Sequence, residues 1–576
     1  MNLFDRLFQH RFVVRTLCLL PLLLYVLFFQ SIALNVNYVA YDDIHVLQII
    51  EQWQQASRWQ DKLDWLTVGF PEHRIVFTRF MVLLSYWLTG QVNLKTLMVI
   101  SNTLWIGQLG ILYLIFKKIA SASQERFLSF AYFIPLCWIL LSVQSFENIC
   151  WGTSSLGNFG LLFFVMLAGY FYTCFPRTSR LFPALLFSFF ATFTYGNGLV
   201  TFLIGGFVLV LIRRWKAAGI TAGAFAATML LYGLTRAHAS PRGLNLTDPS
   251  SYGHALTCFF AFIGSSVNVD VYAPSTVAVW GSVVWGAVLL TGIVLILWKA
   301  IRLKNFGSKI RHFEVVINLS EVQLFSLFLL LFVGLTALGV VYKRAESDGL
   351  IGMFKGRYRM YPTWLLVVGY LLLIHWLRDT QKWLLPLTVG LSAMFNLLIL
   401  YYAVAPAVNN RRAAVVQEFN SMYNEDLLGL KMFDMKGKDF KRIQRLYQPD
   451  LFFEATPQTA IAKEPFPLDS VYFSGDILHI TYKKGFILPT QNFDDGAYVM
   501  LQSLSHTYMA AGMQQALPLK TFIRRGRYWD LGFTATFHRA PIVAGTYDIL
   551  VLLRENGVNK QYDTGRKITF RDLFMR

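Results

Sequence analysis

Two adjacent carboxylates, Asp42 and Asp43, follow the first long apolar segment of the chain, residues 13–35. A carboxylate at the rim of a membrane is costly to place, and a positioned carboxylate is a common general base. Asp at this position could equally cap a helix starting at Ile44, because aspartates near a helix N-terminus accept backbone N–H bonds. The sequence leaves open a cap alone or a cap that also takes part in proton transfer.

A basic segment lies between two later apolar stretches and could bind an anion. Arginine is suited to phosphate oxygens because its planar guanidinium donates two parallel hydrogen bonds. If residues 357–361 are extended, Arg357, Arg359 and Tyr361 share one face, whereas in a helix they diverge. The candidate ligands for a donor phosphate or pyrophosphate are Arg344, Lys355, Arg357 and Arg359.

Three further short segments place polar groups at the ends of apolar stretches. One contains Glu72, His73 and Arg74, the second Glu147, Asn148 and Trp151, and the third Asn197. Each has a structural interpretation. In order, these are the polar start of a helix, a tryptophan at the membrane interface and a tight turn that needs glycine. They could also form the walls of a polar site. The candidate substrate-binding residues are Glu72, His73, Arg74, Glu147, Asn148, Trp151, Asn197 and Tyr358.

The composition indicates which elements must position these groups. The chain has 576 residues, of which 55% are hydrophobic and only 15% charged, whereas soluble domains are about a quarter charged. A membrane-spanning helix needs about 20 apolar residues. About eleven segments qualify, at roughly 13–35, 97–116, 127–144, 155–175, 181–197, 198–212, 218–235, 274–299, 319–342, 361–377 and 383–405.

Loop charge predicts the topology. If the short apolar stretches 75–89 and 254–267 stay on the outer face, most other lysines and arginines between spans fall on the cytoplasmic side. The N-terminus is then cytoplasmic and the C-terminal region extracytoplasmic. The net charge of +19 follows from this bias, so we expect no nucleic-acid partner. The basic residues near 357 are an exception on the outer side, which favours a bound anion.

The region after residue 405 changes character. Residues 406–465 read as a helical connector, and residues 466–576 contain short apolar alternations separated by Gly, Pro, Asn and Asp. This spacing predicts an antiparallel β-sandwich. None of the five cysteines lies in this region, and their spacing matches no zinc pattern. The fold class is therefore a polytopic α-helical membrane protein with a C-terminal extracytoplasmic β-sandwich-like domain.

Together these features resemble the GT-C superfamily of integral-membrane glycosyltransferases. The resemblance covers most of residues 1–405 and lies in the acidic pair of the first outer loop, the many spans, the basic Arg-Tyr segment and the outer C-terminal domain. It implies a polyprenyl-phosphate-linked sugar donor and a glycan, lipid or protein acceptor, with inversion at the anomeric carbon. It implies Asp42 or Asp43 as base and Arg357 and Arg359 at the phosphate.

The resemblance also implies where the protein works and what it needs. A bacterial inner membrane with its lipids is the expected location, and some relatives use a divalent cation such as Mg or Mn. A polysaccharide polymerase or ligase acting on polyprenyl-pyrophosphate glycans, or a lipid or glycan transporter, remains an alternative. Transporters typically show internal repeats and charges near the mid-membrane, and neither pattern stands out here.

Overall fold

The computed structural model describes most of the chain. Asp42 and Glu72 lie outside the described residues. The chain divides into two compact units, Met1–Phe28 with Glu51–Met81 and Leu97–Ala403, and Phe29–Ile50 with Val82–Thr96 and Val404–Arg576. The described residues are 8, 10–34, 37, 43–70, 73–120, 130–174, 181–235, 243–245, 247–270, 274–299, 301–306, 312–317, 319–377, 383–424, 445–447, 453, 461–462, 464–483 and 492–571.

Apolar helices make up most of the described part of the chain before residue 405. Eight of these helices are long and apolar enough to cross a membrane, which supports a membrane protein. The helices are Arg11–Phe28, Asp43–Gln55, Trp59–Thr67, Val76–Thr89, Leu94–Ala120, Ile134–Leu140, Phe146–Ile149, Gly152–Cys174, Phe182–Thr194, Val200–Leu211, Trp215–Leu234, Ser250–Gly264, Thr276–Trp298, Glu321–Asp348, Met360–Leu377 and Leu384–Asn424.

The predicted count of eleven spans is not confirmed. Each of the eleven stretches contains helix, but three of them form only short apolar helices, at Ile134–Ile149, Phe182–Thr194 and Gly196–Leu211. Val76–Thr89, which the sequence kept out of the membrane, is a helix of the same length class. Hydropathy alone missed this difference because it measures apolar content and not where a turn interrupts the helix.

Small residues allow two helices of the first unit to pack closely. A Cβ atom on Gly264 would lie 1.8 Å from the carbonyl oxygen of Ser282, and one on Gly286 would lie 2.1 Å from that of Phe260. The backbones of Ser250–Gly264 and Thr276–Trp298 therefore touch. Close approach through small residues is how helices associate in lipid, where apolar burial drives no association.

One end of the first unit joins segments that loop charge assigns to the cytoplasm. Lys118 Nζ lies 3.0 Å from the Glu321 carboxylate, and Lys299 Nζ lies 4.0 Å from the centre of the Trp376 ring. Strands β1 (Ile301–Phe306) and β2 (His312–Ile317) form an antiparallel pair. In the sequence they lie between helices Thr276–Trp298 and Glu321–Asp348. This hairpin is not among the elements expected from the sequence.

The second unit contains two antiparallel-rich sheets. The five-stranded sheet has the order β3-β10-β9-β6-β7 and the three-stranded sheet the order β4-β5-β8. Strands are present in residues 466–576, as predicted, and β3 lies just before this region. The strands are β3 (Ile461–Ala462), β4 (Ser470–Ser474), β5 (Ile477–Tyr482), β6 (Gly496–Gln502), β7 (Thr507–Ala511), β8 (Phe533–His538), β9 (Gly545–Glu555) and β10 (Val558–Phe570), with a short helix Leu519–Arg525 between β7 and β8.

A single hydrophobic core joins both sheets. Leu478 and Ala535 of the three-stranded sheet belong to the same buried cluster as Val499, Val551 and Tyr547 of the five-stranded sheet. Alternation along each strand turns every second side chain into this core. The C-terminal region is therefore a two-layer sheet structure, in agreement with the sequence prediction.

Asparagine side chains cover the free edge of β7. Asn420 Nδ2 donates to the Met509 carbonyl at 2.8 Å, and Asn420 Oδ1 accepts from the Met509 N–H at 2.9 Å. Asn409 makes the same reciprocal pair with Gln514, and Asn424 donates to the carbonyl of the strand's first residue. Amides on helix Leu384–Asn424 thus replace a neighbouring strand at an edge that would otherwise be unpaired.

We expect Asn420→Ala to destabilise the second unit by about 1–3 kcal/mol, because it leaves both backbone groups of Met509 without these partners. The matched control is Glu555→Ala, whose ion pair with Lys560 is half-exposed on both sides and should contribute little. The difference in stability between the two variants is measured by thermal unfolding of the full chain and by the rate of limited proteolysis within residues 404–576. Equal stability of the two variants would contradict the edge-pairing role.

Candidate functional site

Polar residues from several of the predicted outer segments meet at one end of the first unit. These residues lie at helix ends and in tight turns between apolar helices. Their contacts join segments that are up to 210 residues apart in sequence. We call this group the polar cluster, and its members are His73, Gln144, Glu147, Asn148, Asn158, Tyr195, Asn197, Asn268, Arg357, Tyr358, Arg359 and Tyr361.

Glu147 anchors the basic segment in the polar cluster. Its Oε2 atom accepts a hydrogen bond of 3.1 Å from the backbone N–H of Arg357. Gly356 permits this approach, since a Cβ there would lie 3.0 Å from the Glu147 carboxyl carbon. The carboxylate thereby holds the start of the 3₁₀ turn Gly356–Tyr358. A predicted substrate-binding residue therefore has at least a positioning role.

Asn148 extends the same connection. Its Nδ2 atom donates to the Arg357 carbonyl at 3.0 Å, and its Oδ1 atom accepts from Asn158 at 2.8 Å. Asn148 is fully buried, so these bonds satisfy an amide that would be expensive to bury alone. The short loop after Gln144 and the basic segment are therefore fixed to each other by both backbone groups of Arg357.

Arg359 is completely buried, and its guanidinium donates hydrogen bonds to backbone carbonyls. It donates to Phe354 at 3.1 Å, to Asn268 at 2.8 Å and to Asp270 at 2.9 Å. Gln144 donates to the same 268 carbonyl at 3.0 Å. The segment is helical here, and Arg357 and Arg359 diverge, as two residues so spaced do in a helix. This geometry makes Arg359 a positioning residue that holds the turn before residue 271.

Arg357 is the half-buried arginine of the basic segment. Its guanidinium carbon lies 5.4 Å from the centre of the Tyr358 ring and within electrostatic reach of Glu147 and Tyr195. Lys355, in contrast, is paired with Asp348, and Arg344 also acts electrostatically on Asp348. Of the four predicted phosphate ligands, Arg357 and Arg359 belong to the polar cluster, and the Arg359 guanidinium is the one bound by backbone carbonyls.

His73 and Asn197 bring two further loops into the polar cluster. The His73 ring packs edge-on against Tyr195 with centroids 4.6 Å apart, and its Nδ1 atom accepts a 3.4 Å bond from the Gly196 N–H. Asn197 donates to Thr336 at 3.2 Å and to the Tyr361 hydroxyl at 3.5 Å. Both predicted residues therefore line the same end of the unit as Arg357.

Two other predicted residues have mainly packing contacts. Arg74 is buried, donates to Thr235 at 2.6 Å and lies 4.7 Å from the Tyr232 ring centre. Trp151 is buried within the protein, so it is not the lipid-interface residue that a belt position would require. Arg74 links the start of helix Val76–Thr89 to the end of helix Trp215–Leu234 and lies outside the polar cluster.

Asp43 belongs to the second unit, where it begins helix Asp43–Gln55 and is 1% exposed. It lies within electrostatic reach of Tyr447, whose hydroxyl donates to the buried Glu418 carboxylate at 3.1 Å. Burial and Glu418, with a smaller contribution from Asp43, raise the pKa of Tyr447 well above its usual value. The Tyr447 hydroxyl therefore keeps its proton and donates it in the hydrogen bond to the Glu418 carboxylate.

Sequence reasoning missed several members of these groups. Gln144, Asn158 and Asn268 sit inside or next to apolar runs, and a buried amide in such a run was the available signal. Glu418 and Tyr447 were hidden in the charged connector, where one more acid has no distinguishing pattern. Among the described residues there is no group of three or more His, Cys, Asp or Glu that could hold a metal ion.

Comparison of the chain with protein-family models, curated proteins and solved structures gives no match. The fold therefore defines only a broad class. The described part of the chain is that of a membrane protein, with eight helices able to span a bilayer and a C-terminal sheet unit.

Proposed function

We propose that this protein is an inverting glycosyltransferase that moves a sugar from a polyprenyl-phosphate donor to an envelope acceptor. The observation that carries the proposal is the partly buried guanidinium of Arg357 within the polar cluster. A half-buried guanidinium between apolar helices is stabilised by negative charge, and the Glu147 carboxylate already lies within its electrostatic reach. The donor phosphate supplies a charge of the right sign and a geometry that matches arginine.

The chemistry is a direct displacement. The acceptor hydroxyl oxygen attacks the anomeric carbon, and its proton passes to a general base, the role that the resemblance implies for Asp42 or Asp43. The bond from the anomeric carbon to the phosphate oxygen breaks, and the lipid phosphate leaves with the electron pair. Arg357 stabilises the charge that grows on the phosphate, and such preorganised stabilisation is often the largest single contribution to catalysis. Glu147 and Asn148 keep the Arg357 backbone in place.

The other arginine of the segment has a different role in this proposal. Because the Arg359 donors are engaged by three backbone carbonyls, we assign Arg359 to holding the turn and not to the phosphate. Asp43 is buried at the first residue of a helix, where a carboxylate is stabilised by the helix dipole. The proposal therefore assigns the proton to Asp42 first.

The test uses the purified full chain in lipid nanodiscs with synthetic polyprenyl-phosphate sugars. Mass spectrometry follows release of polyprenyl phosphate and the sugar-bearing product on a panel of glycan, lipid and protein acceptors. Donor-dependent release with product formation is the expected result. Movement of intact donor across liposomes without bond cleavage would instead favour a transporter, and cleavage of pyrophosphate donors alone would favour a polymerase or ligase.

The proposal requires the polar cluster and the C-terminal unit to lie outside the cytoplasm. We expect a reporter fused after Lys118 to give a cytoplasmic signal and one fused after Arg576 to give an extracytoplasmic signal. The reason is the positive-inside bias. Lys117 and Lys118 directly follow the apolar stretch 97–116, and loops rich in lysine and arginine tend to face the cytoplasm. The reverse pair of signals would overturn the orientation and place the cluster on the wrong side for an envelope acceptor.

A further inference from the structure

The three-stranded sheet has an outward surface with an unusual composition. Register places the outward residues of β4, β5 and β8 in three rows across the sheet. Their neighbours along each strand, such as Leu478, Ile480 and Ala535, point into the core. We call this surface the sheet face, and it comprises Ser470, Thr481 and Thr534, then Tyr472, His479 and Thr536, then Ser474, Ile477 and His538.

An aromatic pair stands in the middle row of the sheet face. The rings of Tyr472 and His479 are stacked, with centroids 5.1 Å apart and planes 14° apart. Tyr472 is 50% exposed although His479 covers one side of its ring. It lies on β4, which is an edge strand of this sheet. The tyrosine therefore presents its second side as a rigid, supported aromatic surface.

The sheet face carries no aspartate, glutamate, lysine or arginine. Five of its nine residues, Tyr472, Ser474, Thr534, Thr536 and His538, are exposed, whereas Ser470, Ile477 and His479 are partly buried and Thr481 is buried. Five of the nine residues are serine or threonine, and Ser470 and Thr481 bond to each other through their hydroxyls. A surface of this kind offers little to a phosphate or a nucleic acid, which need positive charge. It is too polar for an apolar helix.

A sugar chain fits both properties. A pyranose ring presents a C–H face that packs against an aromatic ring, and its hydroxyls pair with neutral donors and acceptors such as serine, threonine and histidine. Tyrosine supplies large contact area at low conformational cost. We propose that the sheet face binds a neutral glycan chain, with Tyr472 as the stacking residue. That this chain is the acceptor or the product of sugar transfer rests on the proposed function.

The test measures binding separately from transfer. Labelled full-length protein in detergent micelles is applied to an array of neutral glucans, galactans, mannans and arabinans, with polyuronates and sulfated glycans as anionic probes. We expect binding to at least one neutral chain and a loss of at least about tenfold in Tyr472→Ala, as for other exposed aromatic anchors. Tyr472→Phe keeps the ring and should retain most of the binding.

A matched control is Tyr423→Ala. Tyr423 is 40% exposed but lies on helix Leu384–Asn424 and not on the sheet face, so its loss should leave glycan binding unchanged. Absence of binding to every neutral chain, preference for the anionic probes, or equal binding by wild type and Tyr472→Ala would each overturn the inference. Tyr472-dependent binding without any sugar transfer would keep the inference and remove the proposed function.

Discussion

Asparagine in place of Asp42 should leave the chain folded and membrane-inserted but lower sugar transfer by about 100- to 10,000-fold, the usual cost of losing a general base. Asparagine is as good a helix cap as aspartate, so this substitution removes the negative charge and keeps any capping role. The measurement is transfer from a synthetic polyprenyl-phosphate sugar by purified protein at saturating acceptor.

The matched variant is Asp43→Asn. Asp43 is 1% exposed at the first residue of helix Asp43–Gln55, and asparagine has nearly the same size, so we expect a much smaller loss of transfer. A large loss in Asp43→Asn with normal transfer in Asp42→Asn would exchange the two roles. Near-normal turnover in both single variants would leave the pair as a cap and remove the catalytic assignment.

The apolar helices could be predicted from the sequence because each span satisfies its own backbone hydrogen bonds and must be apolar over a fixed length. Their ends could not be predicted as well. Helix Phe182–Thr194 stops early because the chain reverses at Gly196–Leu199, and Gly198 packs directly on the Ala191 backbone. Helix Leu384–Asn424 instead continues past the apolar run, because the loss of hydropathy does not by itself end a helix.

The candidate site was predictable as a gathering of outer segments but not in its internal roles. His73, Glu147, Asn148 and Asn197 all belong to the polar cluster, and loop charge had assigned their segments to one face. The sequence could not separate Arg357 from Arg359, because the difference depends on carbonyls of residues 268 and 270, about 90 positions away. Long-range hydrogen bonds of this kind leave no local pattern.

The same limit explains strand β7 and its asparagine cover. Thr507–Ala511 is short and lacks a strong alternation, so it gave no strand prediction. Its pairing with β6 and the bonds from Asn420 and Asn424 stabilise it from both sides. Tertiary context decides such a strand more than its own propensity does.

Arg357→Ala should lower transfer by roughly 100-fold, within the range seen when a preorganised oxyanion partner is removed, and should also weaken donor binding. The leaving-group charge grows during the reaction, so the arginine stabilises the transition state more than the bound donor. Lysine at position 357 should rescue only part of the activity, because a point charge lacks the planar pair of donors. Donor binding and turnover are measured separately in nanodiscs.

The decisive contrast is with Arg359, two residues away. Arg359→Met should reduce the thermal stability of the first unit, because each backbone acceptor left unsatisfied costs about 1–3 kcal/mol, and activity should fall only as far as the folded fraction falls. Arg357→Ala should instead keep its unfolding temperature and lose activity per folded molecule. If Arg357→Ala is fully active, or if Arg359→Met is stable and loses donor binding, the phosphate contact belongs to Arg359 or to neither arginine. A chemical role for Arg357 would therefore change activity per folded molecule, whereas a structural role for Arg359 would change the unfolding temperature.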